Sequence, residues 1–414
     1  MKSIKAAALI FGLSMLLSGC MRTVSDAAPV PSTKETAAVS EPTRETGTDG
    51  NAQPSDPIQE RLEKRCGEIA SLYYDLYANA EKTEPQNRWE DPVLTQGTID
   101  AIETRLIAAG YDVMDTNGAY PGYLATADNF HTFLDRVQQK VPADQEVLTI
   151  LESGALSYRL FSYDGTVATL YSMGYSLQDT ELYYEKHVIQ DWELTDRGNF
   201  YYRIYPADDK HYDDFSLIRL NPPNLELYDM NLRYILPVGY LATNIFLHDW
   251  TESDWGNLSF NDMWEYLYAS AYGEQYLPNY DTLIAGKGCC KIPAADFETV
   301  VMPYFNIDLE TFRQMAQYDA EGGYYPWRPL ETNDFVFLWY YACTPEVVAY
   351  QNNPDSTITI TVDMLSTDLK TDRLFSHEVT IRPLENGRFQ YVGNKVTYQT
   401  EYGLPYAVPR LLWG

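Results

Sequence analysis

Basic residues are scarce in this sequence. It contains 30 Lys and Arg against 59 Asp and Glu, a formal net charge of −29 over 414 residues. Proteins that bind nucleic acid neutralise phosphates with a stripe of basic side chains, and no such stripe is visible. The same deficit argues against electrostatic attachment to anionic lipid. We therefore expect no nucleic-acid partner and a strongly acidic surface.

Histidine is equally sparse, and the common catalytic signatures are missing. None of the five histidines stands at ligand-like spacing from another, so we expect no metal site. The sequence has no His-Glu-x-x-His, Gly-x-Ser-x-Gly or Ser-x-x-Lys motif and no glycine fingerprint for dinucleotides. We assign no catalytic residue and no cofactor on this basis.

Apolar runs long enough to span a bilayer, about 20 residues, are also absent. The segment from Tyr234 to Leu247 is short and is interrupted by Pro237 and Gly239, which favours a buried core segment. The N-terminal run from Ala6 to Leu17 follows Lys2 and Lys5, as in the apolar region of a signal peptide.

This run ends in Leu17-Ser18-Gly19-Cys20, which resembles the lipobox of bacterial lipoproteins. The resemblance implies a signal peptide over 1–20, cleavage between Gly19 and Cys20, and acylation (palmitate) of Cys20. It also implies a protein anchored by lipid on the extracytoplasmic face of the cell membrane. An ordinary secretory signal with a chance cysteine is the alternative.

Residues 21–57 contain ten Ser or Thr, five Pro and no aromatic residue. Such a composition buries too little apolar surface to offset the entropy of ordering the chain. We predict a disordered tether that holds a folded body away from the membrane.

Beyond Cys20, the four remaining cysteines have no framework-like spacing, and both a disulfide and buried free thiols are possible interpretations. These are Cys66, Cys289, Cys290 and Cys343.

We predict an α+β fold for the folded body, with helices and antiparallel meanders in separate blocks. Over 58–225, stripes at helical spacing precede period-two runs, and Asp164-Gly165 is a hairpin signal. Over 226–414, helices resume, with Ser259 and Asp262 at capping-box spacing, and a β-sheet follows. The boundary near 225 is uncertain, and one compact unit is the alternative.

Three groups of residues are candidates for function. The first is a loop of acids, aromatics and one arginine around Gly322-Gly323, a composition frequent at binding edges; a structural turn is the alternative. Its candidate binding residues are Asp319, Glu321, Tyr324, Tyr325, Trp327 and Arg328.

The second group sets carboxylates beside indoles, as in glycosidases and sugar-binding grooves. It comprises Asp249, Trp250, Glu252, Asp254 and Trp255. The third is a carboxylate-rich loop, which we interpret as a solvated charge cluster in preference to a calcium site. It comprises Asp208, Asp209, His211, Asp213 and Asp214.

A lipobox, a polar tether and a tyrosine-rich acidic α+β body together resemble the uncharacterised surface lipoproteins of Clostridia-like Gram-positive bacteria. The whole sequence has 35 Tyr against 15 Phe. We hypothesise a non-enzymatic binding module at the cell surface, with a cell-wall glycan or an envelope protein as partner. The alternatives are a carbohydrate-active hydrolase that uses Glu252 or Asp254, and a structural subunit of an envelope complex.

Overall fold

The computed structural model describes residues 57–83, 94–115, 122–177, 180–206, 214–330, 343–404 and 408–412. The chain divides into two compact units, Met1–Leu62 and Glu63–Gly414. Of the first unit only 57–62 are described, so Gly19, Cys20 and nearly all of the predicted tether lie outside the described residues. Everything below concerns the second unit, apart from the start of the first helix.

Helices come first, as predicted. Their bounds are Pro57–Ser71 (α1), Tyr74–Thr83 (α2), Gln96–Ala108 (α3) and Asp128–Gln138 (α4). The sequence predicts one stripe from Ile58 to Tyr77, but the helix breaks at Leu72–Tyr73. At this break Tyr73 is buried, and its hydroxyl donates to the Gly154 carbonyl at 3.2 Å.

The predicted meander closes into an eight-stranded barrel. Its strands are Asp112–Asp115 (β1), Tyr123–Leu124 (β2), Ala143–Ile150 (β3), Leu156–Tyr163 (β4), Ala168–Ser176 (β5), Thr180–Leu194 (β6), Asn199–Pro206 (β7) and Asp214–Arg219 (β8). From β3 to β8, each strand pairs antiparallel with the next. The barrel closes where β1 runs parallel to β3 and β2 runs parallel to β8. The Asp164-Gly165 turn joins β4 to β5, as the sequence indicated.

Aromatic rings fill the barrel core. Phe130 and Phe133 of α4 lie against Phe161, with ring centroids 5.4 and 6.4 Å away. Phe200 and Tyr202 of β7 complete this packing. The core is therefore filled by side chains that alternate inward along the strands, as the period-two pattern predicts.

Among the described residues of the second half of the chain there are four further α-helices, a π-helix and two sheets. Its elements are Leu225–Met230 (α5), the π-helix Asn231–Ile235, Trp250–Thr251 (β9), Trp264–Tyr272 (α6), Leu283–Ile284 (β10), Cys289–Pro293 (β11), Ala294–Val301 (α7), Leu309–Met315 (α8), Tyr324–Trp327 (β12), Cys343–Asn352 (β13), Ile358–Ser366 (β14), Phe375–Pro383 (β15) and Phe389–Gln399 (β16). One sheet has the order β10-β11-β12 and the other β13-β14-β15-β16-β9. The α+β class is thus confirmed.

Ion pairs and hydrogen bonds join the barrel to the five-stranded sheet. Arg219 of β8 lies 2.9 Å from Glu346 of β13, and the Tyr201 hydroxyl of β7 donates to Asp372 at 2.8 Å. The boundary predicted near 225 falls between β8 and α5, within the compact unit that runs from Glu63 to Gly414.

Candidate binding surface

The predicted binding loop forms the hairpin that leads into β12. The backbone N–H of Asp319 donates to the Tyr324 carbonyl at 2.9 Å, and the Gly322 N–H donates to the Asp319 carboxylate at 2.8 Å. The second bond lowers the pKa of Asp319. The carboxylate of Asp319 therefore stabilises the turn, as expected if the loop is a structural turn.

Two of the predicted binding residues in this loop are buried. Tyr325 stacks on Phe297 with ring centroids 4.4 Å apart, and its hydroxyl donates to Glu298 at 2.8 Å. Trp327 is buried, and its indole N–H donates to Glu265. These two rings belong to the core, which corrects their assignment as binding residues and agrees with the alternative of a structural turn.

The other candidates of the loop remain at or near the surface. Glu321 is exposed, whereas Tyr324 and Arg328 are half-buried. The ammonium of Lys291 lies 5.0 Å from the centre of the Tyr324 ring, within the range of a cation–π contact. A binding edge formed by this loop alone is therefore small.

A more extended aromatic array lies beside Trp327. Every fourth residue from Trp264 to Tyr280 is aromatic: Trp264, Tyr268, Tyr272, Tyr276 and Tyr280. The first three lie on α6, where residues four apart share a face. The ring of Tyr268 is 5.5 Å from that of Trp264 and 4.6 Å from that of Tyr272. We call these five residues the aromatic ladder.

The ladder continues beyond the end of the helix because the chain reverses at Gly273. This residue adopts a φ of +74°, in the left-handed region that glycine enters without strain. After the reversal, the Tyr276 ring lies 5.0 Å from Tyr268, 5.1 Å from Trp264 and 5.3 Å from Trp327. Trp327 of the predicted loop thus packs against the Tyr276 ring of the ladder.

The distal end of the ladder is open to solvent. The exposed fractions are 56% for Tyr272, 76% for Leu277, 60% for Tyr280 and 46% for Leu283. A group of exposed large apolar side chains is typical of an interaction site. Segment 272–283, hereafter the exposed edge, is therefore the strongest candidate for a binding surface.

A buried ionic cluster is formed by residues on either side of Trp264, the first residue of the ladder. The guanidinium of Arg410 lies 3.2 Å from Asp262 and 2.7 Å from Glu265, the residue that accepts the Trp327 indole N–H. Burial raises the pKa of both carboxyl groups, and the charge of Arg410 opposes that rise. Asp262, predicted to form a capping box with Ser259, lies in a 3-10 turn, where it hydrogen-bonds to the Ser259 side chain and also pairs with Arg410.

The carboxylate–indole group does not form an open groove. Trp250 and Trp255 are buried and stack on each other at 5.5 Å. Both carboxylate oxygens of Glu252 accept from Arg382, at 2.7 and 2.9 Å. Asp254 accepts from the backbone N–H of Gly256, so the two acids of the hydrolase alternative are held in structural contacts. Asp249 likewise accepts from the Val396 N–H.

The acidic loop from Asp208 to Asp213 lies outside the described residues. Across the part of the chain that the structure does describe, no group of three or more His, Cys, Asp or Glu is placed to hold a metal ion. Within the same residues no helix is long and apolar enough to cross a bilayer. The four cysteines beyond Cys20 are free thiols, three of them buried.

A groove of about 370 Å³ lies beside the junction of barrel and sheet. It is lined by Glu193, Leu194, Thr195, Asp196, Leu369, Lys370 and Thr371. Lys370 spans the junction, with its ammonium 3.0 Å from Asp191 of β6. We interpret this groove as part of the junction between the barrel and the five-stranded sheet.

Comparison with known proteins yields one relationship. A family model described as a family of unknown function (DUF6070) matches residues 59–410. That range covers the barrel, both sheets and the aromatic ladder, and it reaches Arg410. Searches of curated proteins and of solved structures returned no match. The chain therefore belongs to DUF6070, a family of unknown function.

Proposed function

We propose that this protein is a non-enzymatic binding module, anchored by lipid on Cys20 at the extracytoplasmic face of the cell membrane. Support for the anchor comes from Leu17-Ser18-Gly19-Cys20 and the apolar run before it. The polar segment 21–57 would give the body reach toward wall polymers or neighbouring envelope proteins.

The observation that carries the binding role is the exposed edge. Tyr272, Leu277, Tyr280 and Leu283 leave apolar surface in water, which costs free energy unless a partner covers it. Beneath them, the packed rings of Trp264, Tyr268, Tyr276 and Trp327 provide a rigid support. Rigid aromatic anchors lose little conformational entropy on binding, which is why tyrosine is common at binding hot spots.

Site-specific photo-cross-linking in intact cells tests the proposal. A photoreactive amino acid replaces Leu277 in the full-length lipoprotein, and the matched control carries it at Leu225, which is 54% exposed on α5. We expect an adduct with a wall glycan or an envelope protein at Leu277 only, and its yield should fall when Tyr272→Ser is added. The same adducts at both positions, or none at Leu277, would contradict the proposal.

A further inference from the structure

Basic residues are absent from the part of the chain that builds the ladder. Between Arg233 and Lys287 there is no Lys or Arg. The same stretch carries seven acidic residues: Asp249, Glu252, Asp254, Asp262, Glu265, Glu274 and Asp281. This stretch alone therefore has a formal charge of −7.

Three of the seven acids form ion pairs, and two more, Asp249 and Asp254, accept hydrogen bonds from backbone N–H groups. Glu252 pairs with Arg382, while Asp262 and Glu265 share Arg410. Glu274 and Asp281 are exposed, as Asp249 and Asp254 are, but only Glu274 and Asp281 lie within the exposed edge itself. Neither forms an ion pair with another of the described residues. The exposed edge therefore presents tyrosine rings, leucines and two carboxylates.

We infer that the exposed edge docks a basic segment of a partner protein, with Lys or Arg beside apolar residues. This inference rests on the proposed function and names its partner class. Ammonium and guanidinium groups bind the faces of tyrosine rings, and the contact strengthens when a carboxylate lies close by. Leu277 and Leu283 then cover the apolar residues of the same segment.

Charge excludes several other occupants. An anionic polymer or an anionic lipid surface would be repelled by Glu274 and Asp281. A second copy of this chain carries the same net charge of −29 and the same two carboxylates, so a symmetric contact would set like charges together.

A neutral glycan is disfavoured by ring geometry. The rings of Tyr268 and Tyr272 are inclined by 49° to each other, and those of Tyr268 and Tyr276 by 70°. They therefore offer no common flat face on which a sugar ring would stack.

The experiment uses the full-length protein in detergent and a short synthetic peptide of alternating Lys and Leu as the probe. A peptide with Gln in place of Lys and an oligosaccharide of N-acetylglucosamine are the comparison probes. We expect the Lys-Leu peptide to bind, and rising NaCl to weaken that binding. Glu274→Lys and Asp281→Lys should each weaken it by about tenfold, whereas Lys287→Glu should not weaken it.

Matched charge reversals separate a local effect from net charge. Glu152 and Glu193 are exposed acids of the barrel, and Glu152→Lys or Glu193→Lys changes the net charge equally. If these variants weaken binding as much as Glu274→Lys, or if the Lys-Leu peptide does not bind, the inference is overturned. The inference is also overturned if the oligosaccharide or the Gln peptide binds more tightly than the Lys-Leu peptide, independently of salt. If Tyr272→Ser abolishes that binding, the proposed function still holds. If Tyr272→Ser and Leu277→Ser alter binding of no probe, the proposed function fails as well.

Discussion

The guanidinium of Arg410 lies 3.2 Å from the carboxylate of Asp262, a residue 148 positions earlier, and both side chains are buried. Glu265 lies 2.7 Å from the same guanidinium. The C-terminal segment is therefore held against the start of α6, where the aromatic ladder begins. Through Glu265, the same cluster also fixes the indole of Trp327.

Replacing Arg410 with Met should lower the free energy of unfolding by about 3–5 kcal/mol, because two buried carboxylates lose their only cation in the cluster. Urea unfolding at neutral pH measures the loss. The loss should shrink in acid, where the carboxyl groups take up protons and no longer need a cation. Arg388→Met, at an exposed position, is the control and should change stability by less than about 1 kcal/mol. Equal losses in both variants would contradict a special role for Arg410.

Burial should make stability depend on the protonation of His377. This imidazole is fully buried; the Tyr240 hydroxyl donates to its Nε2 at 2.5 Å, and its Nδ1 lies 2.7 Å from the Asn394 carbonyl oxygen. Burial lowers the pKa of His377 to about 4. The unfolded chain, with a histidine pKa of about 6.5, therefore binds more protons between these values.

Because the unfolded chain binds more protons, His377 makes the protein less stable as the pH falls. The contribution of His377 is intact above about pH 6.5, declines as the pH falls toward about 4, and amounts to about 3 kcal/mol in total. Urea unfolding across this range should show the decline in the wild type and lose that share of it in His377→Gln. His131→Gln, at an exposed histidine, should keep the wild-type slope. A slope that is unchanged in His377→Gln would contradict the assignment.

The hairpin at Tyr324 and Tyr325 separates a surface residue from a core residue. Tyr325→Ala should cost about 3–5 kcal/mol, since it empties the space beside Phe297, and Tyr325→Phe about 1–2 kcal/mol through the lost bond to Glu298. Tyr324→Ala should stay within about 1 kcal/mol. Thermal unfolding ranks the three variants. A larger loss at Tyr324 than at Tyr325 would show that the order of burial is different.

These residues illustrate what the sequence could predict. Local patterns were sufficient for strands such as β14, where Ile358, Ile360, Val362 and Met364 alternate with polar residues and face inward or partly inward. At Tyr324 and Tyr325, by contrast, period two does not tell which ring of a short strand faces the core. Closure of the barrel depends on β1 and β2, which are too short to show any periodicity.

The site was harder to predict than the fold. The four-residue aromatic spacing from Trp264 to Tyr280 is visible in the sequence and could have pointed to the ladder. Its exposed end could not, because Tyr276 and Tyr280 have the same pattern yet differ in burial through the reversal at Gly273. Arg410 stands alone between Pro409 and two leucines, and only tertiary structure brings it to Asp262.

The four cysteines of the body should remain unreactive in the native protein. Burial raises the pKa of Cys66 and of Cys343 to about 12, so few thiolates form at neutral pH. We expect Ellman's reagent to react with these thiols only after unfolding, and non-reducing mass spectrometry to show no disulfide. A disulfide recovered from the cell envelope would contradict the free-thiol arrangement. Cys66→Ser and Cys343→Ser identify which thiol contributes to any residual reaction.

Acylation of Cys20 is the prediction on which the location of the protein depends. Wild-type protein should sediment with membranes and incorporate a clickable palmitate analogue, because acyl chains anchor a protein whose own surface is too acidic to bind anionic lipid. Cys20→Ser should lose the label and persist as an uncleaved precursor of higher mass, whereas Cys66→Ser, a change at a buried body cysteine, should be labelled and cleaved like the wild type. If Cys20→Ser is secreted at its normal level without label, cleavage no longer needs the cysteine, and the ordinary-signal alternative gains weight. Labelling of the Cys20→Ser protein at the wild-type level would instead contradict a lipid anchor on Cys20, since another residue would then carry the acyl chain.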